Sequence, residues 1–136
     1  VGIPEANIED VTLENIEIVF GGAGEKRIAC IPLDSLNKVP EKISDYPEFS
    51  MFGELPAWGL YIRHADGIKM KNVKFIYKEN DFRPALVFDD SQNIDLTDVQ
   101  IPTGKELPII LFNNSGKKII NNVQLPVENE KGIKEQ

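Results

Sequence analysis

The sequence predicts an all-β fold of the parallel β-solenoid type, and a repeat in the chain is the first observation behind this prediction. Three segments repeat one another: Leu60–Phe75, Leu86–Ile101 and Ile110–Leu125. When the three segments are aligned, the polar residue before the last apolar pair of each segment falls in one column. Successive residues of this column are 26 and 24 residues apart. A repeat of this length is one supersecondary unit that cannot bury its apolar face alone, so the units must stack.

The first strand of each repeat alternates in polarity with a period of two, which is the second observation. Such alternation turns one set of side chains inward and the other outward. A β-sandwich of hairpins, the alternative architecture, does not predict columns in one register at a fixed period. The predicted inward columns are Leu60 with Leu86 and Ile110, and Ile62 with Phe88 and Phe112. In the outward column, Arg63 and Asp89 become neighbours on adjacent coils and are predicted to form an ion pair.

Polar residues recur at two bends of the repeat, which is the third observation. One column contains His64, Asp90 and Asn114, and the other contains Asn72, Asp98 and Asn122. Asn and Asp tolerate the left-handed backbone conformation better than other non-glycine residues. Strand, bend, strand, corner and strand therefore describe one coil of the solenoid.

The N-terminal segment Ile8–Ile18 has the same signature, but its Asn15 precedes Asn72 by 57 residues. One coil and an insertion of roughly 30 residues fill this distance. The insertion falls at about residues 21–59, where glycine and proline interrupt the pattern, and long loops of this kind are often functional. The predicted domain covers residues 1–126, and the charged tail 127–136 is predicted to be frayed.

Composition and charge exclude several classes of function. The net charge of −7 at pH 7 opposes nucleic-acid binding, which needs a basic surface to neutralise phosphates. No apolar run reaches the roughly 18 residues of a membrane helix. The chain has one cysteine, Cys30, and one histidine, His64, so we expect no intrachain disulfide, no metal and no other cofactor.

Aromatic residues of the insertion are the strongest functional lead. The insertion contains Tyr46, Phe49, Phe52 and Trp58, and Tyr61 follows on the outward face of the next strand. Exposed rings can stack on sugars, and the planar guanidinium of Arg63 or Arg83 can bind a uronate carboxylate. The alternative is that the rings fold back and pack on the solenoid as a satellite cluster. The candidate substrate-binding residues are Trp58, Tyr61 and Arg63.

The segments Ile8–Ile18 and Gly67–Phe75 resemble coils of the right-handed parallel β-helices of pectin-degrading enzymes. The segments Tyr46–Phe49, Met51–Gly59 and Arg83–Leu86 resemble, more specifically, the C-terminal part of bacterial polygalacturonase-like proteins, which are family 28 glycoside hydrolases. The resemblance covers nearly the whole chain. It implies a right-handed parallel β-helix fragment of about four coils with a long inserted loop, in a parent protein that is secreted or periplasmic.

The catalytic motifs of that family do not accompany the resemblance. Its members carry Asn-Thr-Asp, Asp-Asp, Gly-His-Gly and Arg-Ile-Lys motifs, whose carboxylates act in inverting hydrolysis. Only the Asp-Asp pair occurs here, as Asp89 and Asp90, and the alternation turns these two side chains to opposite faces. The chain alone is therefore predicted to be inactive, with no catalytic residues.

The resemblance implies a function as the non-catalytic C-terminal portion of a glycoside hydrolase that degrades pectin or polygalacturonan. In that role the chain completes the β-helix and can contribute a loop to the substrate cleft, and the parent protein binds a galacturonan-type polysaccharide. The alternative is a stand-alone carbohydrate-binding or structural β-helix module. An uncovered solenoid end exposes an unpaired sheet edge, so a homodimer through that end is also predicted.

Overall fold

Six β-strands form one sheet in the computed structural model, which describes residues 1–24, 32–44, 52–104 and 106–136. The strands are β1 (Ile8–Gly22), β2 (Leu60–Glu79), β3 (Leu86–Gln100), β4 (Ile110–Asn113), β5 (Lys118–Asn121) and β6 (Ile133–Glu135). A 3₁₀-helix, η1 (Leu36–Lys38), lies between β1 and β2, and a short helix, α1 (Asn129–Gly132), precedes β6. All strand pairs are parallel, in the order β1-β2-β3-β4-β6, with β5 also paired to β3. The prediction of an all-β chain is confirmed.

The register of the sheet reproduces the columns predicted from the repeat. Leu60 pairs with Leu86, which pairs with Ile110. Ile62, Phe88 and Phe112 form the next inward column, and the rings of Phe88 and Phe112 stack with centroids 5.0 Å apart. The register follows from the alternation, because a slip of one residue would turn every apolar side chain of a strand to the opposite face.

The long strands bend at residues in the left-handed conformation. β2 has 20 residues and β3 has 15, whereas a straight strand usually has about 3–10 residues. Both predicted columns adopt positive φ values: His64, Asp90 and Asn114 lie between 44° and 50°, and Asn15, Asn72, Asp98 and Asn122 lie between 51° and 56°. The left-handed conformation predicted for the corner column Asn72, Asp98 and Asn122 is confirmed, and the bend column shares it. A further bend, at Gly67 and Asn93, was not predicted.

The bent strands share one apolar core. In β3, for example, Phe88 precedes the first bend, Leu96 follows the second, and Val99 follows the third, and all three side chains belong to the same buried cluster. The largest fully buried side chains are Phe75, Phe88 and Phe112.

Part of the insertion covers the outward face of the sheet. β1 ends at Gly22 and β2 begins at Leu60, so the connection runs over residues 23–59. A second apolar cluster joins this connection to the sheet, and its buried members are Leu36, Val39, Ala57, Tyr61, Val87 and Leu111. Of the aromatic residues in the functional lead that the structure describes, only Tyr61 belongs to this cluster.

The C-terminal tail takes part in the sheet, and the fraying of residues 127–136 stays a prediction. α1 and β6 form there, and β6 pairs with β4. The amide of Ile109 donates to the carbonyl of Gly132 over 2.7 Å, and Ile133 packs against the core. Pairing with β4 satisfies backbone donors and acceptors of the tail, while its charged side chains are exposed.

Lys118 departs from the apolar pattern of the repeat. It occupies the column of Ile68 and Ile94, but its ammonium donates to the carbonyls of Ser115 and Gly116 over 3.0 and 3.1 Å. The same ammonium lies 5.3 Å from the centroid of the Phe112 ring. The ammonium of Lys118 is therefore satisfied by carbonyls and an aromatic ring, although the residue stands in an apolar column.

Gly22 is expected to tolerate no side chain. Its φ is +79°, and an added Cβ would lie 1.9 Å from the carbonyl oxygen of Glu79. We expect Gly22→Ala to lower the free energy of unfolding by about 2 kcal/mol. Gly21→Ala is the matched control, because nothing lies within 4 Å of its added Cβ. Urea unfolding of the two variants checks the prediction, and equal stabilities would contradict it.

Within these described ranges, no helix is long and apolar enough to cross a membrane.

Candidate functional site

A buried polar network lies on the outward face of the sheet, centred on Asp89. The hydroxyl of Tyr61 donates to Asp89 Oδ2 over 2.7 Å, and the amide of Asn113 donates to Asp89 Oδ1 over 2.6 Å. Arg63 Nε lies 3.3 Å from Asp89 Oδ2, as an ion pair rather than an aligned hydrogen bond. Asp89 is only 4% exposed. We call Tyr61, Arg63, Asp89 and Asn113 the Asp89 network.

Strand geometry brings these four side chains together. Residues two apart on a strand point to the same face, so Tyr61 and Arg63 of β2 share the outward face. The register places Arg63 beside Asp89 and Asp89 beside Asn113. The predicted ion pair between Arg63 and Asp89 is therefore confirmed, and it belongs to a larger arrangement.

Arg63 also connects the sheet to the insertion. Its Nη1 donates to the carbonyl of Val39 over 2.9 Å, and its Nη2 lies 2.8 Å from Glu41 Oε1. Val39 itself is buried in the cluster that covers the outward face. One guanidinium thus binds two carboxylates and a backbone carbonyl, which uses the fork geometry that lysine lacks.

His64 lies beside the network and faces a carboxylate on each side of its ring. Nδ1 is 2.7 Å from Asp90 Oδ2, and Nε2 is 3.2 Å from Glu41 Oε1. Asp90 Oδ1 in turn accepts a hydrogen bond from the amide of Asn114 over 3.0 Å. Both ring nitrogens are occupied within the chain, so His64 holds the bend and Glu41 together rather than facing a substrate.

Asp89 and Asp90 do not form a carboxylate pair. Asp89 points into the network, whereas the side chain of Asp90 is 47% exposed at the bend. Acid–base catalysis by two carboxyls requires both to face one reacting bond. The opposite orientations agree with the prediction from strand alternation.

The phenol of Tyr61 is held in its protonated form. Burial is the main cause that raises its pKa, and the hydrogen bond to Asp89 and the charge of Asp89 raise this pKa further, against an opposing effect of Arg63. The pKa of Tyr61 is well above the usual range of a tyrosine. The hydroxyl is therefore a permanent donor to Asp89.

Trp58 is not part of the network. It is 5% exposed and lies in the main core, with its ring 5.4 Å from that of Phe20 and 5.1 Å from that of Tyr77. The structure thus brings Tyr61 and Arg63 together and separates Trp58 from them. Contact of these three residues with sugar remains a prediction, since the chain's own atoms surround each of them.

Among the described residues, every aromatic side chain is buried or half-buried. Tyr46 and Phe49, which the sequence placed in the same lead, lie outside the described residues, as does Cys30.

Glu41 is the residue of the site that the sequence did not indicate. It contacts both Arg63 and His64, yet it lies in the insertion, where no repeat supplies a register. Asn113, by contrast, stands in the column of Arg63 and Asp89, so the repeat already indicated its position.

A second polar cluster surrounds Arg83. Asp81 accepts hydrogen bonds from Arg83 Nε over 2.9 Å and from Arg83 Nη2 over 2.7 Å, and also from the backbone amides of Gly24 and Arg83, each over 3.0 Å. Arg83 Nη1 donates to Glu54 Oε2 over 3.0 Å and to the carbonyl of Leu55. A cleft of about 360 Å³ opens beside it, lined by apolar residues that include Leu55 and Pro84. The guanidinium is thus already engaged by two carboxylates.

The pKa of Asp81 gives a prediction about acid stability. Burial alone would raise this pKa, but the hydrogen bonds and charge of Arg83 outweigh it and lower the pKa below the ordinary 3.8. A lowered folded-state pKa stabilises the fold fully above the unfolded-state value, and this stabilisation is lost as the pH falls from there through the folded-state pKa.

We therefore expect the wild type to exceed Asp81→Asn in stability at pH 7 and this advantage to shrink below about pH 4. Urea unfolding of both proteins between neutral and acidic pH measures the difference. Asp98→Asn is a control on the surface, since Asp98 accepts its one side-chain hydrogen bond at an exposed corner. A difference that does not change with pH would contradict the assignment.

Within the part of the chain that the structure describes, no group of three or more His, Cys, Asp or Glu side chains has the arrangement of a metal site. Comparison of the chain with protein-family models, with curated proteins and with solved structures gives no match.

Proposed function

We propose that this chain is a non-catalytic section of a right-handed parallel β-helix, of the type found in pectin-degrading glycoside hydrolases. Its role is to complete the helix and to hold the insertion against the outside of the sheet, beside a substrate cleft. The observation that carries the proposal is the coincidence of parallel register and left-handed columns: each long strand bends at matched positions. Stacked, equally bent strands around one core are what a β-solenoid requires.

The carbohydrate part of the proposal rests on the resemblance of the segments Tyr46–Phe49, Met51–Gly59 and Arg83–Leu86 to polygalacturonase-like proteins. The Asp89 network supports the structural role, because it joins the insertion to three strands of the sheet. An insertion fixed in this way can present a constant surface to a polymer that lies along the sheet.

The non-catalytic part of the proposal rests on the state of the carboxylates. Inverting hydrolysis needs one carboxyl group as acid and another as base, with room for a water molecule between them. Asp89 is buried and fully engaged in the network, and Asp81 is engaged by Arg83. Neither carboxylate is available to activate water.

Incubation of the purified chain with polygalacturonate tests this part of the proposal. We expect no new reducing ends above the buffer control, with an active polygalacturonase as positive control. Turnover by the isolated chain that is lost in Asp90→Asn would show that the chemistry lies within it, and would overturn the proposal.

Isothermal titration calorimetry with oligogalacturonides separates the structural role from the alternative of a stand-alone binding module. Among the described residues no aromatic side chain is fully exposed for stacking, so we expect no saturable heat at about 1 mM ligand. Saturable binding would favour the stand-alone module. The variant Tyr61→Phe then decides whether Tyr61 takes part, because it keeps the ring in its cluster and removes only the hydroxyl.

A further inference from the structure

The histidine of the chain joins the insertion to a bend of the sheet. His64 is buried, with 7% of its surface exposed. Its Nδ1 lies 2.7 Å from Asp90 Oδ2 on the neighbouring coil, and its Nε2 lies 3.2 Å from Glu41 Oε1 in the insertion. The ring therefore forms a bridge between the bend and the insertion, and a carboxylate stands at each end of this bridge.

The number of hydrogen bonds in the bridge depends on the charge of the ring. An imidazolium has a donor on both nitrogens, whereas a neutral imidazole has one donor and one acceptor. The protonated ring of His64 can therefore donate to Asp90 and to Glu41 at once. In the neutral ring, one nitrogen lone pair must face a carboxylate oxygen. Because the contact with Asp90 is the shorter one, the donor stays on Nδ1 and the lone pair faces Glu41.

Glu41 is attached to the sheet through one carboxylate oxygen. Arg63 Nη2 lies 2.8 Å from Glu41 Oε1, the same atom that faces His64, and a guanidinium keeps its charge at every pH near neutrality. Within the described residues, Glu41 Oε2 is buried and has no hydrogen-bond partner. The next residue of the insertion, Lys42, is exposed. A change of charge at His64 therefore acts on the atom by which Glu41 is attached.

The N-terminal segment also passes beside His64, since its backbone donates to the carbonyl of Arg63 over 2.8 Å. The ionisable groups of this segment are the α-amino group of Val1 and the carboxylate of Glu5. Burial lowers the pKa of the Val1 amine below its ordinary 8.0, so this amine also changes its charge near neutral pH. A test of His64 must therefore leave the Val1 amine unchanged.

Residues 36–41 are the part of the insertion that this bridge holds, and we call them the strap. The strap contains η1, and the side chains of Leu36 and Val39 are buried in the second apolar cluster. Arg63 Nη1 also binds the carbonyl of Val39. Of these apolar, guanidinium and imidazole contacts, the contact with His64 is the one whose charge ordinarily changes between pH 5 and 8.

We propose that His64 is a pH-sensitive clasp for the strap. The protonated ring holds the strap against the outward face of the sheet, and loss of the proton to solvent loosens it. Because Arg63 and the apolar contacts persist, the neutral state is a looser attachment and not a complete release. Protonation and attachment favour each other, so the strap is held most firmly in mildly acidic solution and its hold weakens as the pH rises through neutrality.

Amide hydrogen exchange of the full chain at about pH 5 and about pH 8 tests the proposal. The reporters are the amides of Lys38 and Val39, which donate to carbonyls within the strap region over 2.9 Å each. Each rate is divided by the rate of an unstructured peptide at the same pH, which gives a protection factor. The amide of Leu96, a core residue of β3, serves as the reference for unfolding of the whole sheet.

In the wild type, we expect the protection of Lys38 and Val39 to be about fivefold lower at the higher pH, as for the loss of one partly exposed ion pair. The protection of Leu96 should change less, because the opening is local. Glu41→Gln and His64→Asn should both remove the pH dependence in the strap. Asparagine suits the left-handed bend, as Asn114 does in the same column, and both variants keep the Val1 amine.

Asp90→Asn gives an independent signature of the clasp. The new amide can donate to Nδ1 of the neutral ring, so Nε2 carries the proton and donates to Glu41. We therefore expect the strap of this variant to stay protected at the higher pH, where the wild-type strap loosens. A structural role of Asp90 alone predicts the opposite, namely lower protection at both pH values.

Three results would overturn the proposal: equal protection of the wild-type strap at both pH values, higher protection at the higher pH, and a pH dependence that persists in His64→Asn. The last result would assign the effect to another group, such as the Val1 amine. The proposal uses contacts of the insertion with the sheet and does not depend on the carbohydrate assignment, so either can fail alone.

Discussion

Replacing Phe88 with alanine is expected to lower the free energy of unfolding by about 4 kcal/mol. Phe88 is fully buried, and its ring stacks on that of Phe112 at 5.0 Å. The substitution removes most of a buried side chain and leaves a cavity that the sheet cannot close, because strands on both sides fix the backbone. The lost ring–ring contact adds to the cost.

Chemical unfolding of Phe88→Ala and of a surface control measures this effect. Ile119→Ala is the control, because Ile119 lies on β5 and is 49% exposed. We expect the control to stay within about 0.5 kcal/mol of the wild type. A loss below about 1.5 kcal/mol for Phe88→Ala would mean that the inward columns do not form one packed core.

The columns of the sheet were predictable because two local rules agree in each repeat. Alternation fixes which side chains point inward, and the left-handed tendency of Asn and Asp fixes where the strand bends. Leu60, Leu86 and Ile110 therefore align in the structure as the sequence indicates. The outward neighbours Arg63 and Asp89 follow from the same register.

The surroundings of the insertion were not predictable, since no repeat constrains it. Nothing in the sequence shows that Trp58 enters the main core while Tyr61, three residues later, faces outward under η1. Glu41 reaches Arg63 and His64 only because the chain after η1 turns back over the sheet. The pairing of the tail with β4 was not predictable for a related reason: its one apolar residue that packs on the core, Ile133, stands among charged neighbours.

The two polar clusters show what surrounds the arginines near the insertion. An arginine beside a tyrosine resembles a uronate-binding pair, yet the guanidinium of Arg63 already forms ion pairs with Asp89 and Glu41. Arg83 likewise forms ion pairs with Asp81 and Glu54. In both cases two carboxylates of the chain already pair with the guanidinium.

Asp89→Asn is expected to lower the free energy of unfolding by about 3 kcal/mol, because it leaves the buried guanidinium of Arg63 without one of its two counter-charges. The oxygen of the new side-chain amide can accept a hydrogen bond from Tyr61 or from Asn113. Its NH₂ group, which is itself a donor, then faces the other of these two donors. Because Arg63 also holds the carbonyl of Val39, we expect the substitution to speed amide hydrogen exchange in residues 36–39 of the insertion.

Asp90→Asn is the matched control, since it makes the same chemical change one residue later at an exposed bend. It should cost less than about 1 kcal/mol, as exposed ion pairs contribute little. Tyr61→Phe isolates one hydrogen bond of the network and should cost about 1 kcal/mol. If Asp89→Asn and Asp90→Asn proved equal in stability, the network would not hold the insertion, because only Asp89 is buried against Tyr61 and Arg63.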